Sequence, residues 1–511
     1  MKKIFTIFVC FFILIFITGC IQKIKIPLGV KPTKEFTIYD YIQDDAIFQA
    51  SSELVLSGTS EEGVVIVATL YDNKGNNVFE SYCTTNNEGI WELRLHTPAA
   101  SMKNYSLKIK DSNEIYRKTI NDIRFGETWL ILGDNINNVE DKNIVKEELN
   151  NVLTDYNKMF YYKGEWIPAS SDISDFGFNL INEIINIQKI WSQFPVGMVF
   201  ATEEDTAIYE WLSLEAINSR KMIKDYLDNE NIIINEDNKS RYSANVLNNK
   251  YSKQLTQMSY ANIVLNQGIK DLFDYNNGIH YNYYNFENMY SMCLYTFISE
   301  LITNVNVYNE IYFIQDSISE EDNIELLRKL QSNISKYYNS VNIIPTYDLC
   351  KLYDIKNDEI INDLDDINYD FIKIMGYDTK QLAKRIFIFD RNNLRAPCLD
   401  NVVQDYDKDE NLISIKLIFE NVNSFDNIEE LIGLKFYDVN KEEIKLNYSI
   451  IENEILVDLT YYNNDEEFND TNEEIKFYDI TYVVYAFDNF ILDNNLTSKG
   501  IPTLPFEVVI K

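Results

Sequence analysis

The sequence predicts an α/β protein: a doubly wound parallel sheet flanked by an N-terminal and a C-terminal β domain. Three observations carry this. The run Trp129-Leu130-Ile131-Leu132 suits a strand buried on both faces; Gly133 stops it, and apolar residues at Val139, Ile144, Val145, Leu149, Val152 and Leu153 then recur at helical spacing. Four further apolar runs follow, Pro195 to Ala201, Ala261 to Gln267, Glu310 to Gln315 and Val341 to Tyr347, separated by helical patterns. Five strands joined by crossover helices favour a parallel sheet with helices on both faces. On either side of this region the pattern is β, punctuated by turn residues.

In chain order, residues 1–20 read as a targeting segment. Lys2 and Lys3 precede an apolar core from Ile4 to Ile17, and the segment closes with Thr18-Gly19-Cys20. Ile17-Thr18-Gly19-Cys20 resembles a bacterial lipobox, which implies an acylated Cys20 and a protein held at the cell envelope, facing periplasm or exterior. Residues 21–35, with Pro27 and Pro32, read as a tether. Residues 36–120 read as a β domain of sandwich type. Its strands are Glu53 to Leu56, Val64 to Tyr71, Trp91 to Leu95 and Tyr105 to Ile109, with turns at Asn73-Lys74-Gly75-Asn76 and Asn86-Asn87-Glu88-Gly89.

Residues 121–395 hold the α/β pattern, with helices expected over Ser174 to Trp191, Ala207 to Leu227, Glu287 to Val305 and Glu320 to Tyr337. Residues 396–511 return to strands: Leu412 to Phe419, Leu431 to Tyr437, Ile455 to Tyr461, Ile480 to Phe487 and Phe506 to Ile510. Asp405-Tyr406-Asp407-Lys408-Asp409 invites a calcium-loop reading. Glu410 and Lys416 occupy the positions where such a loop needs glycine and glutamate, so a solvated turn is expected.

Composition narrows the function. A hydrophobic share of 46% and an aromatic share of 14% mark an ordered globular chain. A formal charge of −34 lacks the basic footprint of a nucleic-acid binder and disfavours an anionic ligand unless the site is locally basic. Besides Cys20, the widely spaced Cys83, Cys293, Cys350 and Cys398 suggest packed thiols rather than a zinc site or disulfide framework. No cofactor is implied.

Gly126-Glu127-Thr128-Trp129-Leu130, leading into Gly133-Asp134-Asn135-Ile136, resembles the first block of the sialate O-acetylesterase group of SGNH (GDSL-type) hydrolases. That family pairs Gly-Glu-Val-Trp-Leu with Gly-Gln-Ser-Asn. Other segments fit as well: Asp44-Asp45-Ala46-Ile47-Phe48-Gln49, Gly89-Ile90-Trp91, Val484-Tyr485-Ala486-Phe487, and Gly500-Ile501-Pro502-Thr503-Leu504-Pro505-Phe506. The resemblance covers almost the whole chain after residue 20. It implies a Ser-His-Asp esterase, with a nucleophile, a base and donors aimed at the oxyanion.

Those parts are substituted. Asn135 stands where the family keeps its serine, and an amide offers no nucleophilic oxygen at neutral pH. The second block keeps Pro195-Val196-Gly197-Met198-Val199 and Thr206-Ala207-Ile208-Tyr209-Glu210-Trp211, yet Glu203-Glu204-Asp205 replaces Trp-Gly-Gly. Asp205 thus takes a glycine position. The third block keeps Gln267-Gly268, with Asp271 at the oxyanion asparagine. In the fourth, Ile374-Met375-Gly376 puts Met375 at the histidine.

The chain has 2 histidines, His96 in the N-terminal β domain and His280 in a loop after the third strand. His280 is a candidate base outside the family positions. If Asp134, Glu203, Glu204, Asp205 and Asp271 converge at one sheet edge, they shift one another's ionisation or recruit a cation; solvated loop charges are the expected outcome in so acidic a chain. Three readings remain: a catalytically silent, glycan-binding lipoprotein, an active carbohydrate O-acetylesterase using unfamiliar groups, and a structural envelope protein.

Overall fold

The computed structural model describes residues 25–39, 41–133, 159–162, 164–168, 194–203, 205–232, 244–281, 285–315, 323–346, 350–354, 359–361, 372–377, 382, 385–386, 396, 398–421, 434–462, 475–477, 482–485, 504 and 506–510. The segment read as a targeting signal, with Cys20, lies outside them. So do the helical patterns after Gly133 and over Ser174 to Trp191.

The N-terminal strands are β1 (Ile47–Gln49), β2 (Glu53–Thr59), β3 (Val65–Asp72), β4 (Asn77–Thr84), β5 (Ile90–His96), β6 (Ser101–Asp111) and β7 (Arg117–Gly133). Strands β4, β3, β6 and β7 pair antiparallel in that order, and β2 pairs with β5. Strand β7 is the axis of the molecule. Its 17 residues change character midway. From Arg117 to Phe125 buried and exposed residues mix as β7 pairs with β6, one face open to water; from Trp129 to Gly133 every residue is buried. The expected domain boundary at residue 120 therefore falls inside a single strand, and the N-terminal β layer is continuous with the central sheet.

Gly126 marks the passage. A Cβ there would lie 1.8 Å from the Pro195 carbonyl oxygen, so only glycine lets the chain entering the next parallel strand press against β7. The segment Asp44 to Gln49, which carried part of the resemblance, braces the same region at both its ends. The Asp44 carboxylate accepts the Asn121 N–H at 2.6 Å, and the Gln49 side chain accepts the Thr128 N–H at 2.9 Å.

The central sheet adds β8 (Met159–Tyr162), β9 (Trp166–Pro168), β10 (Val196–Thr202), β12 (Asn262–Asn266), β14 (Ile311–Ile314) and β15 (Val341–Ile344); β11 (Ser259–Tyr260) and β13 (Asn306–Val307) form a small parallel pair beside it. The order is β15-β14-β12-β7-β10-β8-β9, and every pair from β15 to β8 is parallel. The five expected strands are all present as the doubly wound core of one 11-stranded mixed sheet. The β8–β9 hairpin closing its far edge is not legible in the periodicity.

Between β10 and β12 run a 3-10 turn (Ile208–Trp211) and helices α1 (Leu214–Ser219), α2 (Lys221–Asn229), α3 (Val246–Lys250) and α4 (Ser252–Gln257). The single helix expected over Ala207 to Leu227 is broken because Ser213 caps α1, its side chain accepting the Ala216 N–H, and Arg220 is extended. Helices α5 (Ile269–Asn276) and α6 (Phe286–Asn304) follow β12; α7 (Ile324–Ser332) and α8 (Ile334–Tyr337) follow β14.

Beyond β15, β16 (Cys350–Asp354), β17 (Glu359–Ile361) and β18 (Ile372–Tyr377) form a separate antiparallel sheet. The C-terminal strands are β19 (Cys398–Tyr406), β20 (Leu412–Glu420), β21 (Leu434–Tyr437), β22 (Glu443–Ile444), β23 (Tyr448–Ile451), β24 (Glu454–Asp458), β25 (Thr460–Tyr462), β26 (Ile475–Phe477), β27 (Tyr482–Tyr485) and β28 (Phe506–Val509). They build sheets β19-β20-β24-β23 and β22-β21-β27-β28 around their own core of Ile415, Leu417, Phe419, Phe436, Ile455, Val457 and Val483, with β25 and β26 paired alone.

Candidate functional site at the carboxyl edge of the parallel sheet

Parallel α/β sheets carry their chemistry just past the carboxyl ends of the strands. Here Gly133 is flanked in register by Thr202 of β10 and Asn266 of β12, so the three blocks singled out in the sequence emerge side by side. Gly133 has φ +102°, and a Cβ on it would meet the Asn266 carbonyl oxygen at 2.1 Å. The glycine is required for β7 to end between its neighbours. Asp134 and Asn135, the next residues, lie outside the described residues, as does Glu204.

After β10, the Glu203 N–H donates to the Gly133 carbonyl at 3.1 Å. The Glu203 carboxylate is engaged: the Lys250 ammonium pairs with it and the Tyr251 hydroxyl donates to it at 3.3 Å. Tyr251 in turn stacks on Trp211, ring centres 5.7 Å apart. Asp205 is exposed and left-handed, φ 58°. The chain there keeps a conformation that suits the glycine of the resembled family, and aspartate is among the few side chains that adopt it readily. The loop is then tied down by Thr206. Its hydroxyl accepts the Trp211 indole N–H at 3.2 Å and its carbonyl accepts the Gln267 side-chain amide.

Gln267 and Gly268 end β12. The Gln267 carbonyl accepts from the Tyr290 hydroxyl at 2.9 Å and the Gln331 side chain at 3.1 Å, and a Cβ on Gly268 would strike that hydroxyl. Asp271 follows in the first turn of α5 and is fully buried. Its carboxylate accepts the Ile208 N–H at 2.9 Å and the Tyr281 hydroxyl at 2.6 Å. Burial pushes its pKa up to about 7, and nearby Asp274 adds to the rise, while the two donors pull the other way. Asp271 thus acts as an acceptor that fastens the start of the 3-10 turn to α5.

His280 is half-buried, edge-on to the Tyr209 ring with centres 5.8 Å apart. Burial lowers its pKa, opposed by Asp274 and Glu230, so the neutral imidazole is favoured. Among the described residues neither His280 nor His96 hydrogen-bonds to a hydroxyl or thiol; His96 sits exposed on β5, 3.9 Å from Glu53. Met375 lies inside β18, within the separate antiparallel sheet, rather than in a loop after a parallel strand. The following Arg385 does reach the carboxyl edge, donating to the Pro345 carbonyl at 2.6 Å.

The five acidic candidates therefore have distinct surroundings wherever they are described: Glu203 paired, Asp205 exposed, Asp271 buried against its own donors. Among the described residues no group of three or more His, Cys, Asp or Glu side chains is placed to hold a metal ion. Sequence reasoning missed Lys250, Tyr251 and Tyr281, which satisfy the carboxylates. They come from loops and short helices with no fixed spacing from the blocks.

No protein-family model matches the chain, and no curated protein does. Solved structures do. A carbohydrate acetylesterase from Xanthomonas citri superposes with a TM-score of 0.62 over 93% of this chain and 99% of that one, at 14% identity. An acetyl xylan esterase from the rumen bacterium Butyrivibrio proteoclasticus covers 70% of this chain and 100% of its own at 11% identity, TM-score 0.27. A GDSL-like lipase from Bacteroides ovatus covers 52% and 98% at 14% identity, TM-score 0.25. The first likeness shows that the chain shares the fold of that carbohydrate acetylesterase, and at this identity it speaks to fold alone.

Proposed function

We propose that the protein is a cell-envelope lipoprotein, anchored through Cys20, in which a sialate O-acetylesterase-like fold binds carbohydrate without hydrolysing esters. The observation that carries this reading is Asp271. At the position where the resembled family keeps its oxyanion asparagine, this chain has a carboxylate wholly taken up by the Ile208 N–H and the Tyr281 hydroxyl. A carboxyl group engaged by these two donors supplies no amide N–H to a developing oxyanion, and removing one such donor costs about 10²–10³ in rate. Asn135 in place of serine compounds that loss, since an amide cannot attack a carbonyl.

An active esterase built on other groups is the second reading, and His280 is the observation that favours it. Its neutral state is the one a general base needs. Turnover of an acetylated sugar by the wild-type protein, beside Asn135→Ala and His280→Ala, separates the two. We expect no enzymatic turnover in any of them, together with retention on a glycan panel. Wild-type turnover that disappears in His280→Ala would establish the esterase instead.

A further inference from the structure

The segment leading into the first β strands carries charge opposite to the rest of the molecule. Residues 1–34 contain no Asp or Glu, whereas the whole chain has 80. From Lys25 to Lys34 the chain is described, and it is not a free tether. The Gly29 N–H donates to the Ser112 hydroxyl at 3.0 Å, the Val30 N–H to the Gly63 carbonyl at 2.9 Å, and the Asn113 side chain to the Gly29 and Val30 carbonyls at 3.2 Å. The Tyr116 hydroxyl donates to the Thr33 carbonyl at 3.2 Å. Pro32 is buried, and a Cβ on Gly29 would lie 2.5 Å from the Val65 nitrogen, so the backbone is pressed flat on the start of β3.

Pinning the backbone this way turns its side chains outward. Leu28 is 81% exposed, more than any other large apolar side chain among the described residues, and Val30 is 55% exposed. Two residues apart on an extended segment, they share one face. Lys25, Lys31 and Lys34 are exposed around them. Ile115, 45% exposed, sits in the same 111–116 turn that Asn113 and Tyr116 fasten to the segment. Acidic side chains on the rim are Glu35, Glu61, Glu62 and Glu114. The Glu61 carboxylate is occupied by the Thr33 N–H and hydroxyl, and Glu114 pairs with Lys110.

We infer that this ledge, Lys25, Leu28, Val30, Lys31 and Lys34, is a docking surface for an anionic phospholipid bilayer. Its setting rests on the reading of Cys20 as the anchor. Leu28 is then eight residues from the acyl chains, within about 30 Å of chain at full extension, so the ledge stays within reach of the headgroups. Basic residues near an anionic surface and apolar side chains at the headgroup boundary each add to binding, while charges beyond a Debye length are screened.

The test uses the mature chain from residue 20 carrying Cys20→Ser, so no acyl chain contributes. Flotation with phosphatidylcholine vesicles, with and without about a third phosphatidylglycerol, is measured at about 0.1 M ionic strength, where the Debye length is about 10 Å and the body's charge is screened. We expect retention on the anionic vesicles only, weakened by salt and lost at least about tenfold in the triple variant Lys25→Glu, Lys31→Glu, Lys34→Glu. Equal behaviour with neutral and anionic vesicles, or a triple variant that floats like its parent, would overturn the ledge. Detergent partitioning and acyl labelling of the unmodified protein report on Cys20 separately, so failure of the anchor and failure of the ledge remain distinct.

Discussion

At Asp271 the sequence shows the residue and the structure its partners. Its place in the third block is plain in the sequence, but its partners are not. The Ile208 N–H comes from the 3-10 turn after β10 and the Tyr281 hydroxyl from a loop whose φ of 65° no spacing rule anticipates. A buried carboxyl with a folded-state pKa near 7 holds its proton more tightly than in the unfolded chain. Its contribution to stability is therefore complete below the ordinary carboxylate range, near pH 4, and is lost as pH rises toward and past 7. Asp271→Asn keeps a carbonyl for the Ile208 N–H and removes the titration. We expect the variant's unfolding free energy, relative to wild type, to climb between pH 5 and pH 8, by an amount on the order of a few kcal/mol at the upper end, read from urea midpoints. Parallel curves for the two proteins across that range would refute it.

Among the elements, three hairpins repeat one device. Tyr71-Asp72, Tyr406-Asp407 and Tyr437-Asp438 each end a strand, and each aspartate accepts backbone N–H groups two and four residues on, at 2.8–2.9 Å. The chain then turns through a left-handed residue, Gly75, Glu410 or Lys441. This explains the acidic run around Asp407: its carboxylate serves its own turn, as the solvated-turn reading expected. It also exposes a cost, because glutamate and lysine tolerate that conformation less well than glycine. Glu410→Gly and Lys441→Gly should each raise stability by about 1 kcal/mol, read as a shift of the urea midpoint at constant slope. Strands of this half-buried kind were the hardest to read. β4 alternates weakly at a sheet edge, and β8 and β9 are short, so neither shows the long apolar run that made β7, β10, β12, β14 and β15 visible.

For the whole molecule the decisive feature is β7. It belongs to the N-terminal layer at one end and to the parallel sheet at the other, and one apolar core runs from Phe36 through Ile344 and takes in Leu382, Ile386, Ala396, Cys398 and Leu504. The strands from β20 to β27 close a second core. Calorimetry should accordingly show two transitions. Ile455→Ala, at a fully buried site of the second core, should lower one of them by about 2–5 kcal/mol and leave the other in place. Leu130→Ala, in the buried half of β7, should act on the other. A single transition moved by both variants would mean that the two cores unfold together.

The sequence by itself determined the class of the molecule, because buried parallel strands must be nearly continuous apolar runs and the helices between them must repeat every three to four residues. It also marked the end of the first of those strands at Gly133. Only the tertiary structure decided that the N-terminal layer and the parallel sheet share one strand, that Met375 lies in a different sheet, and which carboxylates are satisfied. Those outcomes depend on hydrogen bonds between residues far apart in the chain, such as Lys250 to Glu203 and Tyr281 to Asp271, and a local pattern holds no record of which distant donor will arrive.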